Sequence, residues 1–174
     1  MARTSRPPIP VDLQIEVYFR DHWLCHLCRR PTILHLAMKF LSEFVGPELP
    51  SSTHPALWDA QWRRDKSPLL DELAASIDHV QAFASGGAHN ISNFATVCAR
   101  CNARKSARRK DDYLTEANPW VVKGKYGEPV AWDGLASVFV VLAKQSRRPL
   151  ATTEQVWLRA LEPRVLGGID GRAR

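Results

Sequence analysis

The sequence lacks any long apolar run and has no cysteine outside two close pairs. No stretch of its 174 residues approaches the roughly 18 consecutive apolar residues of a membrane-spanning helix. Residues 1–10 are basic and rich in proline, but no apolar signal core follows them. We therefore expect no membrane span and a cytoplasmic location.

No class of residue dominates the composition. Hydrophobic residues make up 45% of the chain, which suffices for a packed core, and the 24% of charged residues is ordinary. This excludes a fibrous or wholly disordered protein. The formal net charge of +6 favours a polyanionic partner, although many basic proteins never contact nucleic acid.

The four cysteines form two Cys-x-x-Cys pairs, Cys25 with Cys28 and Cys98 with Cys101. Disulfides do not persist in a reducing cytoplasm. Two such pairs are typical of four thiolates around one structural zinc ion, and four thiolates leave no open position for substrate. Redox-active or simply buried thiols are the alternative interpretation.

Apolar periodicity and turn residues predict the order of elements along the chain. Helices are expected over 11–20, 33–45 and 55–66. An extended segment over 73–82, a Gly-Gly turn, a return segment over 88–97 and a helix from Asn102 to about Leu114 then form a ββα unit. Two further helices are expected after Asp133 and from Thr152.

The ββα unit contains side chains suited to cutting a phosphodiester. His79 is a candidate general base, and the Asp78 carboxylate with the Asn102 amide oxygen offers hard ligands for Mg²⁺. Asn93 is suited to hold an imidazole by a hydrogen bond. Adjacent strand residues point to opposite faces, so a joint site for Asp78 and His79 requires a twist or bulge.

Each of these residues also has a purely structural interpretation. Asp78 and His79 can form a local pair at a strand end, Asn93 is a common turn residue, and Asn102 can cap the following helix. His89 lies in the Gly-Gly loop near these candidate residues, where it can contact phosphate, although exposure to solvent is the favoured interpretation.

A run of basic residues surrounds the second cysteine pair, with no acid between Ala99 and Lys110. Such a run is usually a solvated face. Here it adjoins the predicted metal site, which favours contact with nucleic-acid phosphates. The candidate nucleic-acid-binding residues are Arg100, Arg104, Lys105, Arg108 and Arg109.

Taken together, these motifs resemble the HNH, or His-Me finger, nuclease family. The string Ile77-Asp78-His79-Val80, Gly86-Gly87, Asn93-Phe94 and Cys98-x-x-Cys101-Asn102-x-x-Lys105 carries the resemblance, and Arg20-Asp21 with Cys25-x-x-Cys28 matches its zinc-stapled, four-cysteine branch. The match covers roughly residues 11–110. Asn stands at the last motif position, which makes an HNN variant.

The resemblance implies a role for each motif residue. His79 corresponds to the base that activates water, Asn93 to the residue that orients this base, and Asp78 and Asn102 to the ligands of a catalytic Mg²⁺ or Mn²⁺ ion. Cys25, Cys28, Cys98 and Cys101 correspond to the ligands of a structural Zn²⁺ ion.

We therefore predict an α+β protein with a small ββα-metal core, a four-cysteine zinc site and several surrounding helices. Its parts would be a basic arm over 1–10, an HNH nuclease domain over 11–114 with a helical insertion at about 32–72, and a C-terminal helical extension over 115–174. The expected function is metal-dependent cleavage of DNA, rather than RNA, by a monomer or homodimer. A non-catalytic, zinc-ribbon-like nucleic-acid-binding module and a thiol oxidoreductase are the alternatives.

Overall fold

The computed structural model describes residues 7–45, 57–105 and 131–167. Within these ranges the chain forms a two-stranded antiparallel sheet and several helices, which confirms the predicted α+β class. The helices are α1 (Val11–Arg20), α2 (His35–Val45), α3 (Pro68–Leu73), α4 (Ala99–Lys105), α5 (Ala136–Lys144) and α6 (Thr152–Leu166), and the strands are β1 (Ala75–His79) and β2 (Phe94–Cys98).

The two strands form a regular hairpin. Ala75 pairs with Cys98 at one end and His79 pairs with Phe94 at the other, with no residue left over between them. Helix α4 begins directly after β2, so strand, strand and helix follow in the predicted ββα order. An isolated parallel β-bridge joins Ile33 to Ala74, the residue before β1.

One apolar core joins segments that are distant in the sequence. Its largest fully buried side chains include Trp23 before the first cysteine pair, Phe94 on β2 and Phe139 on α5. Helices α5 and α6 pack on each other, on α2 and on α1. The C-terminal helices therefore share their core with the hairpin.

The segment before α5 makes a close contact with this core. Gly134 has a φ of +65°, and a Cβ atom at this position would lie 2.1 Å from the ring of Trp23. Its carbonyl accepts a hydrogen bond from the backbone N–H of Leu34 at 2.8 Å. The Asp133 carboxylate caps α5 by accepting from the N–H groups of Leu135 and Ser137, as expected for this helix start.

The predicted helix over 55–66 is wrong for its described part. Residues 57–67 form turns, because the Asp59 carboxylate accepts hydrogen bonds from the backbone N–H groups of Gln61 and Arg63. The short helix α3 follows instead, starting at Pro68 and ending at Leu73, where the predicted extended segment begins. The apolar residues Trp58 and Trp62 pack on a buried cluster.

No helix in the three described ranges is both long and apolar enough to span a membrane.

Candidate active site and metal centre

The four cysteines converge at one end of the hairpin. Cys25 and Cys28 lie in a tight turn, in which the Cys25 N–H donates to the Arg30 carbonyl and the Arg29 N–H donates to the Cys25 carbonyl, both at 2.8 Å. Cys98 ends β2, and Cys101 lies in the first turn of α4. The backbone N–H of His26 donates to the Thr96 carbonyl, so the first turn is docked on β2.

The sulfur atoms are placed to hold a metal ion. All four Sγ atoms lie within 4.8 Å of one another, and those of Cys28 and Cys98 are 3.8 Å apart. Four Zn–S bonds of about 2.3 Å in a tetrahedron require sulfur separations of about 3.8 Å. Mutual hydrogen bonds among the thiols lower the pKa of Cys25 and raise that of Cys98, so the four thiols ionise as one coupled cluster.

Glu72 on α3 forms ion pairs with one arginine near each of the two cysteine turns. The Glu72 carboxylate accepts from Arg30, next to the first turn, and from Arg100, inside the second, both at 2.9 Å. Although desolvation opposes it, pairing with these arginines lowers the pKa of Glu72. The guanidinium of Arg100, predicted to contact nucleic acid, is thus engaged in an ion pair.

Arg20 and Asp21 fasten the end of α1 to the return strand. Arg20 donates to the backbone carbonyls of Ile91 and Phe94, and Asp21 accepts from the backbone N–H of Thr96. Desolvation raises the pKa of Asp21, but the hydrogen bonds from Arg20 and Thr96 outweigh it and hold this pKa below its ordinary value. This pair therefore positions β2 and the loop before it.

Asn93 organises the loop over 80–93 that joins the strands. Its amide exchanges hydrogen bonds with the backbone of Gln81 and donates to the Ala88 carbonyl at 2.8 Å. Gly87 lies inside the same turn, where a Cβ atom would be 2.0 Å from the Gln81 carbonyl oxygen. The described hydrogen bonds of Asn93 thus act on the loop backbone, whereas the sequence suggested a bond to the imidazole of His79.

His79 is the last residue of β1, and only 1% of it is exposed. Its ring packs edge-on against Phe94, with ring centroids 4.9 Å apart. Its Nε2 atom lies 3.2 Å from Nδ1 of His89, within hydrogen-bonding distance. The imidazole is therefore fixed by an aromatic contact and by a second imidazole.

His89 lies in the site, whereas the sequence favoured its exposure to solvent. The structure places it half-buried, with its ring over His79 and Phe94. The signal available in the sequence was its position between Gly87 and Asn93, two residues that bend the loop back toward β1.

Asp78 lies on the other face of β1. Burial alternates along the strand, with Ala75, Ile77 and His79 buried and the residues between them partly exposed. The carboxylate of Asp78 is paired with the ammonium group of Lys105, which also donates to the His79 carbonyl at 2.7 Å. The regular hairpin contains no bulge, so the Asp78 carboxylate and the His79 ring share only the end of the strand.

Asn102 approaches the same face as Asp78. Its Nδ2 atom donates to Ser76 at 3.3 Å, and Ser76 and Asp78 are two positions apart on β1. Lys105 follows Asn102 by one turn of α4 and reaches Asp78. The structure therefore brings Asp78 and Asn102 to a common face, where a carboxylate and an amide oxygen are chemically suited to Mg²⁺.

The basic residues after the second cysteine turn differ in their surroundings. Arg104 is exposed at the described end of α4, and Lys105 is half-buried. Arg108 and Arg109 lie outside the described residues.

Comparison with known proteins finds a family match for one segment of the chain. Residues 66–108 match the family model described as HNH endonuclease. This segment contains α3, the hairpin, its loop and the described part of α4, so the resemblance is confirmed for the motif residues from Ile77 to Lys105. The Arg20-Asp21 and Cys25-x-x-Cys28 part of the motif lies outside the match. The match indicates nuclease activity and contact with nucleic acid in general. No curated protein and no solved structure matches the chain.

Proposed function

We propose that the protein is a metal-dependent DNA endonuclease that hydrolyses phosphodiester bonds. The observation that carries the proposal is the ββα unit matching the HNH model, with His79 at the end of β1 and Asp78 on the opposite face of the same strand end. Contacts with Phe94 and His89 fix the orientation of its ring.

The chain's own residues divide the work between two faces of β1. His79 would take a proton from the attacking water, a role that typically contributes roughly 10²–10⁴-fold in rate. His89 would hold the imidazole in one orientation, and Asn93 would hold the loop that carries His89. The scissile phosphate would bind across the end of β1, the place that both faces share.

Asp78 and Asn102 would hold the catalytic ion, Mg²⁺ or Mn²⁺. The ion would stabilise the negative charge that develops on phosphorus and on the leaving oxygen. With two protein ligands on one face, most of its coordination would be left to water and substrate, as Mg²⁺ prefers.

A structural Zn²⁺ ion would occupy the four-cysteine cluster and connect the chain before residue 30 to the chain after residue 97. The cluster lies at the Cys98 end of the hairpin, opposite His79. We propose that residues 11–114, with the insertion at about 32–72, form the nuclease domain and that 115–174 form a helical extension. The described part of this extension packs on the common core.

A plasmid-cleavage assay with Mg²⁺ or Mn²⁺ tests the proposal. We expect His79→Ala to abolish cutting while zinc content and folding remain unchanged. His26→Ala is the matched control, because His26 is exposed and lies between the cysteines of the first turn. Cutting by His79→Ala at the wild-type rate would contradict the role of His79.

The alternative is a zinc module that binds nucleic acid without cutting it, which the cysteine cluster and the exposed Arg104 also accommodate. It predicts salt-sensitive DNA binding, equal in wild type and His79→Ala, and no cleavage with either ion. The same assay therefore separates the two functions.

A further inference from the structure

Lys105 places a positive charge on the carboxylate to which the proposed function assigns a divalent ion. Its Nζ atom donates to the Asp78 carboxylate and, at 2.7 Å, to the His79 backbone carbonyl. Both charged side chains are only 18% exposed, so solvent screens the pair less than it would at an open surface. The ammonium group thus contacts two oxygen atoms, which are also the kind of ligand that a divalent metal ion takes.

We propose that Lys105 is an internal counter-ion that occupies Asp78 until nucleic acid binds, and that it couples binding of the catalytic ion to binding of a phosphate. This inference rests on the proposed function, because it assumes that Asp78 is an ion ligand. A divalent ion and the ammonium group on one half-buried carboxylate repel each other. The ion therefore binds weakly while Lys105 remains in place.

A phosphate group gives Lys105 another partner. Lysine carries its charge on a flexible four-carbon stem, so the ammonium can move from the carboxylate to a phosphate without a change in the backbone. Arg104, the preceding residue of α4, is exposed and adds positive charge to this part of the surface. Once Lys105 pairs with phosphate, Asp78 is free for the ion, and each ligand strengthens binding of the other by the same factor.

Titration of Mn²⁺ into the zinc-loaded protein, with free Mn²⁺ followed by electron paramagnetic resonance, tests this coupling. All samples carry His79→Ala, so that DNA is not cut, and are measured without DNA and with a saturating short duplex at low salt. With Lys105 present, we expect DNA to tighten Mn²⁺ binding about tenfold. In Lys105→Gln, we expect Mn²⁺ to bind about tenfold more tightly without DNA, with little further gain from DNA.

Two variants control for charge. Lys105→Arg keeps a cation beside Asp78 and should retain most of the DNA dependence. Lys144→Gln removes one positive charge from α5, where Lys144 pairs with Glu162, and should behave like the parent protein. A change in Lys144→Gln equal to that in Lys105→Gln would reduce the effect to net charge and overturn the inference.

Two other results would overturn it in distinguishable ways. Equal or weaker Mn²⁺ binding in Lys105→Gln, with the DNA effect retained, would show that Lys105 does not compete for Asp78, while the nuclease proposal would stand. If Asp78→Ala leaves Mn²⁺ binding with DNA unchanged, the ion site of the proposed function is itself wrong, and the coupling falls with it.

Discussion

The two ends of the β-hairpin are held by different kinds of interaction. At the Cys98 end, four sulfur atoms already converge with separations suited to a metal ion. At the His79 end, hydrogen bonds from Asn93 and Arg20 hold the loop, and an ion pair occupies the carboxylate of Asp78. The first end is arranged as a fixed scaffold, and the second can rearrange when substrate and ion arrive.

Removing one sulfur should have the largest effect. We expect Cys98→Ala to lose the metal and to unfold or aggregate, because a structural zinc ion contributes on the order of 10 kcal/mol to folding. Zinc content and thermal unfolding measure this outcome. A Cys98→Ala protein that folds with wild-type stability would remove the distinction between the two ends.

Loosening the loop should impair activity and leave the scaffold intact. Asn93→Ala removes the amide that bonds the backbone at Gln81 and Ala88, so the loop should shift relative to β1. Since a displacement of about 1 Å can cost roughly 10²-fold in rate, we expect a loss of that order in DNA cleavage with zinc content unchanged. Zinc release from Asn93→Ala would show that the two ends are not independent.

Substitution of His89 tests the His79 end of the hairpin with a smaller expected loss of activity. We expect His89→Ala to lower the cleavage rate about tenfold, part of the roughly 10²–10⁴-fold contributed by a positioned base. His89→Asn offers a polar atom near the position of Nδ1 and should recover part of the rate. If His89→Ala cuts as fast as wild type or faster, His89 covers the imidazole of His79 and does not position it.

The smallest effect concerns the helical core outside both ends. Burial, reinforced by the charge of Lys39, lowers the pKa of His35 to about 4, and its ring lies near Trp62 and Trp157. Stability present above the unfolded-state pKa of about 6.5 should therefore be lost as the pH falls toward 4, by up to about 1.4 kcal/mol per pH unit.

Urea unfolding at pH 6.5 and pH 5 checks this slope, with His35→Phe as the comparison. The variant should lose less stability on acidification than wild type, and its activity at pH 7 should equal that of wild type. An identical loss in both proteins would mean that another group controls acid sensitivity.

The sequence predicted the arrangement of the four-cysteine end better than that of the His79 end. Four cysteines in two pairs specify their site almost regardless of the intervening chain, and α1 was predicted at its observed bounds from its apolar spacing. Trp58 and Trp62 have the spacing of a helix face, but the Asp59 side chain forms a turn there instead. The spacing of apolar residues does not show that a single polar side chain can bond the backbone and favour a turn over a helix.

The contact between His79 and His89 was harder to predict for a different reason. It depends on the path of the loop, which Asn93 and Gly87 determine through contacts with Gln81. Likewise, the placement of Lys105 on Asp78 depends on how α4 packs on β1. Sequence spacing identified the chemical groups, and tertiary geometry decided their partners.

The packing of Gly134 against Trp23 limits how the HNH-like unit can be transplanted into another protein. A fragment of residues 66–108 would lack the first cysteine turn. A fragment of residues 11–110 would keep Trp23 but would lose Gly134, which packs against the indole ring. Any larger side chain at 134 would push on the indole two residues before Cys25. Fusion designs should therefore carry the chain through α6 and attach new modules beyond it.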